Sequence, residues 1–170
     1  YWSEARYELS EYYAATKDFA RARNECLAVS KVIPSSYQPL LRVADYFRME
    51  GKNDSAKVWY QRCIAAEDNP YARMKLAIIL LEEENPLQAT QQIETGFQAA
   101  AQKGIALSHE ASASSYYLLG VTYAKMGKMK EARDNLQRSL SIMPNQPDTR
   151  DLLQQIERLD LPIRLCGLGN

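Results

Sequence analysis

The sequence predicts an all-α chain: an α-solenoid of about four antiparallel helix pairs closed by a C-terminal capping helix. Three observations carry that expectation. A frame of small and apolar residues returns four times along the 170 residues. Inside each copy the apolar residues recur at helical spacing, and Gly, Asn or Pro stands between helix patterns everywhere but the Thr16-Lys17-Asp18 turn. The composition is that of an ordinary folded domain, 46% hydrophobic and 25% charged.

The frame is clearest in 113–146, ASSYYLLGVTYAKMGKMKEARDNLQRSLSIMPNQ. Gly120 sits inside the first helix pattern, where Gly costs about 1 kcal/mol against Ala, and Ala132 sits inside the second. Two small residues at that spacing let antiparallel helices approach closely. Gly127 falls in the turn, where a left-handed backbone is cheap for Gly, and Pro144 ends the second helix. Upstream, Ser10 is followed by Tyr13, Ala22, Cys26, Val29 and Pro34, at offsets of 3, 12, 16, 19 and 24. Ala44 is followed at the same offsets by Phe47, Ala56, Tyr60, Cys63 and Asp68, and Ala77 by Leu80, Ala89, Ile93, Gly96 and Ala101. Gly120 completes the set with Tyr123, Ala132, Leu136, Ser139 and Pro144. Ala fills the offset of 12 every time. Successive frames are 34, 33 and 43 residues apart.

This arrangement resembles the tetratricopeptide repeat. The resemblance rests on Tyr116, Leu119, Gly120, Tyr123, Ala132, Leu136 and Pro144 at the family's spacing. Tyr116 stands where the family usually has Trp, and Ser139 where it usually has a small Ala. The resemblance implies a right-handed solenoid and a role in holding a peptide or a partner protein.

The elements follow in order. Residues 1–160 are expected to form a single repeat domain, with repeats at about 3–36, 37–69, 70–112 and 113–146. In the first, 1–15 and 19–33 are helices; Asp18 is the expected N-cap, Lys17 replaces the turn glycine, and Pro34 closes the pair. In the second, Gly51-Lys52-Asn53-Asp54 marks the turn. Tyr60 fills a core slot there, and Trp59 faces the neighbouring repeat or solvent. In the third, Glu84-Asn85-Pro86 is the turn, with Pro at a helix start, and the second helix runs on to Gln102. An insert at 103–112 follows, and the first helix of the fourth repeat is expected to begin with Ser108 as its cap. A capping helix spans 147–159, with Asp148 as its cap and Leu152, Leu153 and Ile156 as its apolar stripe. Residues 160–170 are read as an extended tail. Its Leu161, Ile163, Leu165 and Leu168 are suited to docking on the domain or on a partner.

The charge balance excludes little but weighs against one class. With 21 basic and 21 acidic residues, no basic surface points to nucleic acid. No apolar run reaches the length of a membrane span. The chain starts at Tyr1 without Met and is read as a fragment or a mature form. Cys26, Cys63 and Cys166 are far apart and odd in number, so no disulfide framework is implied. Cys26 and Cys63 fall on core faces, and a reducing compartment is slightly favoured.

Helical periodicity separates two faces of each first helix. The inward face is Leu9, Tyr13, Val43, Phe47, Leu76, Leu80, Leu119 and Tyr123. The second stripe, which lines the concave groove in the family it resembles, supplies the candidate partner-binding residues: Tyr7, Glu11, Leu41, Asp45, Arg48, Tyr71, Met74, Ile78, Tyr117 and Val121. An apolar or aromatic anchor is expected near Tyr71, Met74, Ile78 and Tyr117, with a basic group of the ligand near Glu11 and Asp45. Co-chaperones of the family hold a C-terminal carboxylate at places that here carry Tyr7, Glu11, Arg42, Tyr71 and Lys75. The first two contradict that clamp.

No catalytic residue, metal site or cofactor is expected. His109 has no ligand pattern around it, Glu82-Glu83-Glu84 reads as a solvated helix end, and no phosphate loop or nucleophile motif is present. The expected function is a non-catalytic interaction scaffold for a protein or peptide, without nucleic acid or membrane insertion. The alternative is a structural spacer or self-association module.

Overall fold

In a computed structural model the chain is described over residues 1–159; the tail, with Cys166, lies outside the described residues. Those residues form helices joined by short turns: α1 (Trp2–Ala15), α2 (Phe19–Val32), α3 (Gln38–Met49), α4 (Asn53–Ala66), α5 (Pro70–Glu82), α6 (Pro86–Gln102), α7 (His109–Lys125), α8 (Met129–Ile142) and α9 (Pro147–Leu159). No strand is found among them. Two compact units divide the chain, Tyr1–Ile105 and a second beginning at Ala106.

In the first unit α1 pairs with α2, α3 with α4 and α5 with α6, and the pairs stack through α2 on α3 and α4 on α5. The frame residues explain the close approach. Ser10, Ala22, Cys26 and Val29 are fully buried, as are Ala44, Ala56, Tyr60 and Cys63 of the next pair. Ala77 and Ala89 repeat the pattern. Trp59 packs back on its own pair, its ring stacked on Phe47 at 6.4 Å. Arg23 lies 4.1 Å above Phe47, and Arg62 4.6 Å from Trp59.

One inward-facing expectation fails. Leu9 is exposed. Val43 and Leu76 occupy the equivalent place in α3 and α5 and are buried, because α2 and α4 lie against those helices. Among the described residues no second helix of another pair lies against Leu9. Periodicity marks the face as apolar but does not supply the neighbour.

Each pair turns the corner by the same hydrogen-bonded device. The second residue after the helix takes a left-handed backbone, φ +61° at Lys17, +78° at Gly51, +57° at Glu84 and +73° at Gly127. Its own N–H and the next one then bond back to the last turn: Gly51 to the Arg48 carbonyl, Lys52 to that of Phe47. This satisfies carbonyls that the helix end would leave open. Among the helix starts, α2, α5 and α6 carry side-chain caps, while α4 and α8 do not. Asp18 accepts from the Arg21 N–H, Asn85 from Gln88 and Asn69 from Tyr71 and Ala72. Pro70 and Pro86 sit at the first helical position, where no amide is needed. Asp68 stands where the first and last copies have Pro34 and Pro144. It holds Arg73 through two oxygens at 2.6 and 3.2 Å, while its carbonyl accepts from Lys103 Nζ.

In the second unit α8 packs between α7 and α9. Ser108 caps α7 by accepting from the Ala111 N–H. Ala132, Leu136 and Ile156 form the core, with Tyr117, Tyr123, Leu152 and Leu153 against it. The cap of α9 differs from expectation. Asp148 lies inside the first turn, because Pro147 is already suited to the first helical position. Gln146 precedes it and locks the joint. Its amide accepts from Ser139 Oγ and Thr149 Oγ1 and donates to the carbonyls of Ser139 and Met143.

Candidate interaction surface

The second stripe of α1, α3 and α5 is where the first unit carries most of its unassigned chemistry. Frame packing turns the small residues toward the second helices. The residues one place after the frame position (Glu11, Asp45, Ile78) and three before it (Tyr7, Leu41, Met74) lie on another side, half-buried or exposed. Tyr7 is half-buried, with the Arg42 guanidinium 4.6 Å from its ring centre. Burial pushes its phenol above the usual tyrosine value; Cys26 adds to the shift and Arg42 opposes it. Arg42 also donates to Glu11 Oε1 at 2.6 Å. One pair further on, Asp45 accepts from the buried Tyr60 hydroxyl at 2.5 Å and lies 3.4 Å from Lys75 Nζ. Burial, then the Asp45 charge, raises the Tyr60 phenol far above its ordinary value. Arg48 donates to Glu82 at 2.8 Å, and Asn53 shares the same carboxylate at 3.2 Å.

These contacts form a ladder of opposite charges, each rung joining one pair to the next: Glu11 to Arg42, Asp45 to Lys75, Arg48 to Glu82. Glu11 and Asp45, the acids expected to receive a ligand's basic group, thus already have cationic partners in the chain. Arg42 and Lys75 are likewise engaged, which removes them from free carboxylate binding. The Glu11–Arg42 rung is solvent-exposed, and such pairs contribute about 0–1 kcal/mol each. Their main effect is to leave the face nearly neutral. A sequence signal for them exists: the partners are opposite charges close to one repeat length apart, 31 residues for Glu11 and Arg42 and 34 for Arg48 and Glu82.

Beside the ladder the surface is apolar. Tyr71, Met74 and Ile78 follow each other at helical spacing on α5, all half-buried, and Leu41 of α3 is half-buried as well. In the second unit Tyr117 and Val121 are half-buried on α7. Tyr117 packs against the core of that unit. Burial raises its phenol, and the Asp148 charge adds to the shift. His109 is exposed at the start of α7. Glu83 pairs with Lys57, so Glu82 and Glu83 serve in ion pairs while Glu84 makes the turn. Among the described residues no three His, Cys, Asp or Glu side chains converge as a metal site would require, and no helix is long and apolar enough to cross a membrane.

Comparison with known proteins agrees with this architecture. Residues 113–146 match the family model described as tetratricopeptide repeat. No curated protein sequence matches the chain. Among solved structures, PilF of Pseudomonas aeruginosa is similar with a TM-score of 0.77 at 20% identity, over 92% of this chain and 68% of that one. MamA of Desulfovibrio magneticus RS-1 is similar with a TM-score of 0.73 at 15% identity, over 92% and 84%. The first repeat domain of Spaghetti (RPAP3), solved with the HSP90 peptide SRMEEVD, gives 0.63 at 18% identity, over 72% and 94%. Residues 113–146 are a tetratricopeptide repeat, and the fold is that of proteins built from such repeats. That fold generally serves as a protein–protein interaction scaffold, and its family is generally non-catalytic.

Proposed function

We propose that this chain is a non-catalytic interaction module that receives a segment of a partner protein along the first-helix face of α1, α3 and α5. The observation that carries the reading is the juxtaposition of the half-buried apolar row Leu41, Tyr71, Met74 and Ile78 with a charge ladder satisfied within the chain. An apolar or aromatic side chain of the partner fills the row. Tyr71 combines contact area with a polar tip, which suits an anchor site. Because Glu11, Asp45 and Arg48 are already paired, a strongly basic or acidic ligand would have to displace an internal partner. The favoured segment is therefore apolar with few charges. Tyr117 and Val121 supply a separate contact on α7. The reading requires no cofactor, metal or nucleic acid, and no insertion in a membrane.

The test is a capture experiment from extract of the source organism with the wild-type chain, Tyr71→Ala, Tyr117→Ala and the double variant. The expected result is a partner held by wild type and lost by Tyr71→Ala while its helical circular dichroism is unchanged. The same proteins captured by all four sinks the proposal, and unfolding of Tyr71→Ala would mean that the row belongs to the core.

A further inference from the structure

Positive charge collects at the turn between α7 and α8 without a counter-charge. Lys125, Lys128 and Lys130 fall within six residues and are all exposed. Among the described residues none of the three is in an ion pair. The Lys128 Nζ lies 5.8 Å from the centre of the Tyr123 ring. The other turns of the frame are built differently. Asp18 holds Arg21 at 2.5 Å, Glu50 holds Lys52 at 2.8 Å and Arg23 at 2.6 Å, and Glu83 holds Lys57 at 2.5 Å. Each of those turns supplies an acid to nearby cations. In the fourth copy Met126 stands in the place of Glu50 and Glu83, and Lys128 in the place of Asp18 and Asn85.

The lysines also run against the local preferences of α8. Lys128 is its N-cap and Lys130 its second residue, at the positive end of the helix, where a cation is unfavourable. The N-cap backbone is the one Asp18 uses, φ −87° and ψ 72° against −86° and 69°. Asp18 accepts there from the amide three residues on, whereas Lys128 gives no side-chain cap. Lys52 begins α4 in the same uncapped way, but Glu50 pairs with it. Glu131 in the first turn of α8 offsets one of the three charges at most. Local rules broken without compensation inside the chain point to a surface used outside it.

We propose that Lys125, Lys128 and Lys130 form a docking surface for a short acidic segment of a partner protein, about three Asp or Glu side chains in succession. The flanks set its size and kind. Glu131 and Asp134 are exposed just beyond the lysines on α8 and repel an anion that continues along the helix. Nucleic acid carries a charge at every nucleotide and needs a longer basic track. A lipid surface needs an exposed apolar wedge beside the cations, and Met126 and Met129 are half-buried. A few carboxylates match three amines gathered within about one helix diameter, ~10 Å. None of the residues named for the proposed partner face takes part.

Fluorescence anisotropy of the 170-residue chain tests this with a labelled Gly-Asp-Glu-Asp-Gly peptide and its Gly-Asn-Gln-Asn-Gly counterpart, at low and high salt. Protein is taken to about 1 mM, since a few exposed charge pairs bind weakly. The expected result is binding of the acidic peptide alone, weakened by salt. Lys128→Gln and Lys130→Gln should each weaken it about three- to fivefold, the triple Lys→Gln variant should abolish it, and Lys31→Gln on α2 should leave it unchanged. Lys128→Asp should bind less yet melt at a higher temperature than wild type, because Asp restores the missing cap. No binding, equal binding of both peptides, or binding indifferent to the three lysines overturns the proposal. Tighter binding to phosphatidylserine vesicles or to single-stranded RNA than to the acidic peptide overturns it as well, and assigns the patch to lipid or to nucleic acid.

Discussion

Gly120 of α7 faces Leu136 of α8 so closely that a Cβ at position 120 would lie 2.6 Å from the Leu136 Cγ and Cδ2, with the Ala132 carbonyl oxygen 3.3 Å away. The contact is with the branch point of a fully buried leucine, and it cannot be relieved by moving a flexible tip. Gly120→Ala gains about 1 kcal/mol of helix propensity but overpacks the pair by about 1–3 kcal/mol. The expected net result is a loss of stability, read as a lower denaturant midpoint at unchanged slope. Ala132→Leu, at a position with no exposure, should cost about 1–3 kcal/mol in the same measurement.

Lys17 and Glu84 hold the left-handed turn conformation without being glycine. An L-residue there carries about 1–2 kcal/mol of steric cost, while glycine carries about 0.5–1 kcal/mol of extra chain entropy on folding. Lys17→Gly and Glu84→Gly are therefore each expected to stabilise by about 0.5–1 kcal/mol. Both side chains are exposed, so little packing is lost. Thermal unfolding of the two single variants and the double variant checks the sign, and unchanged or lower melting temperatures would refute it.

Burial pushes the Cys63 thiol up to about 12 from an ordinary 9.0, with Glu67 and Asp45 adding to the shift, and its Sγ donates to the Tyr37 carbonyl at 3.7 Å. The folded state favours the protonated thiol. Its contribution to stability is complete below the unfolded value near 9 and is lost as pH rises from there through about 12. In a Cys166→Ser background the thiols should resist alkylation near pH 8 until the protein unfolds. Stability should fall on the alkaline side, and less steeply in Cys63→Ala. Rapid native-state modification of Cys63 would show that the site is not closed.

Much of the core was legible as spacing. Ala22, Ala56, Ala89 and Ala132 recur at one offset and have no exposure, because only a small side chain fits where two helix backbones converge. The turn slot was also fixed by the frame, which is why Lys17 stood out as an exception. The α9 stripe is oriented as its sequence predicts, with Ile156 buried and Leu152 and Leu153 against the same core.

The candidate surface was only half legible. Helical periodicity tells which side of a helix is apolar, a local property set by 3.6 residues per turn. It names Tyr71, Met74 and Ile78 as one stripe. It does not tell what lies opposite, so Leu9 read as core and Glu11 and Asp45 read as free acids. The sequence by itself determined the helix pairs, their turns and the small-residue frame, since these follow from local periodicity and chain sterics. Only the tertiary structure decided which apolar faces are covered and which charges are paired, because both depend on side chains a full repeat apart being brought within a few ångströms.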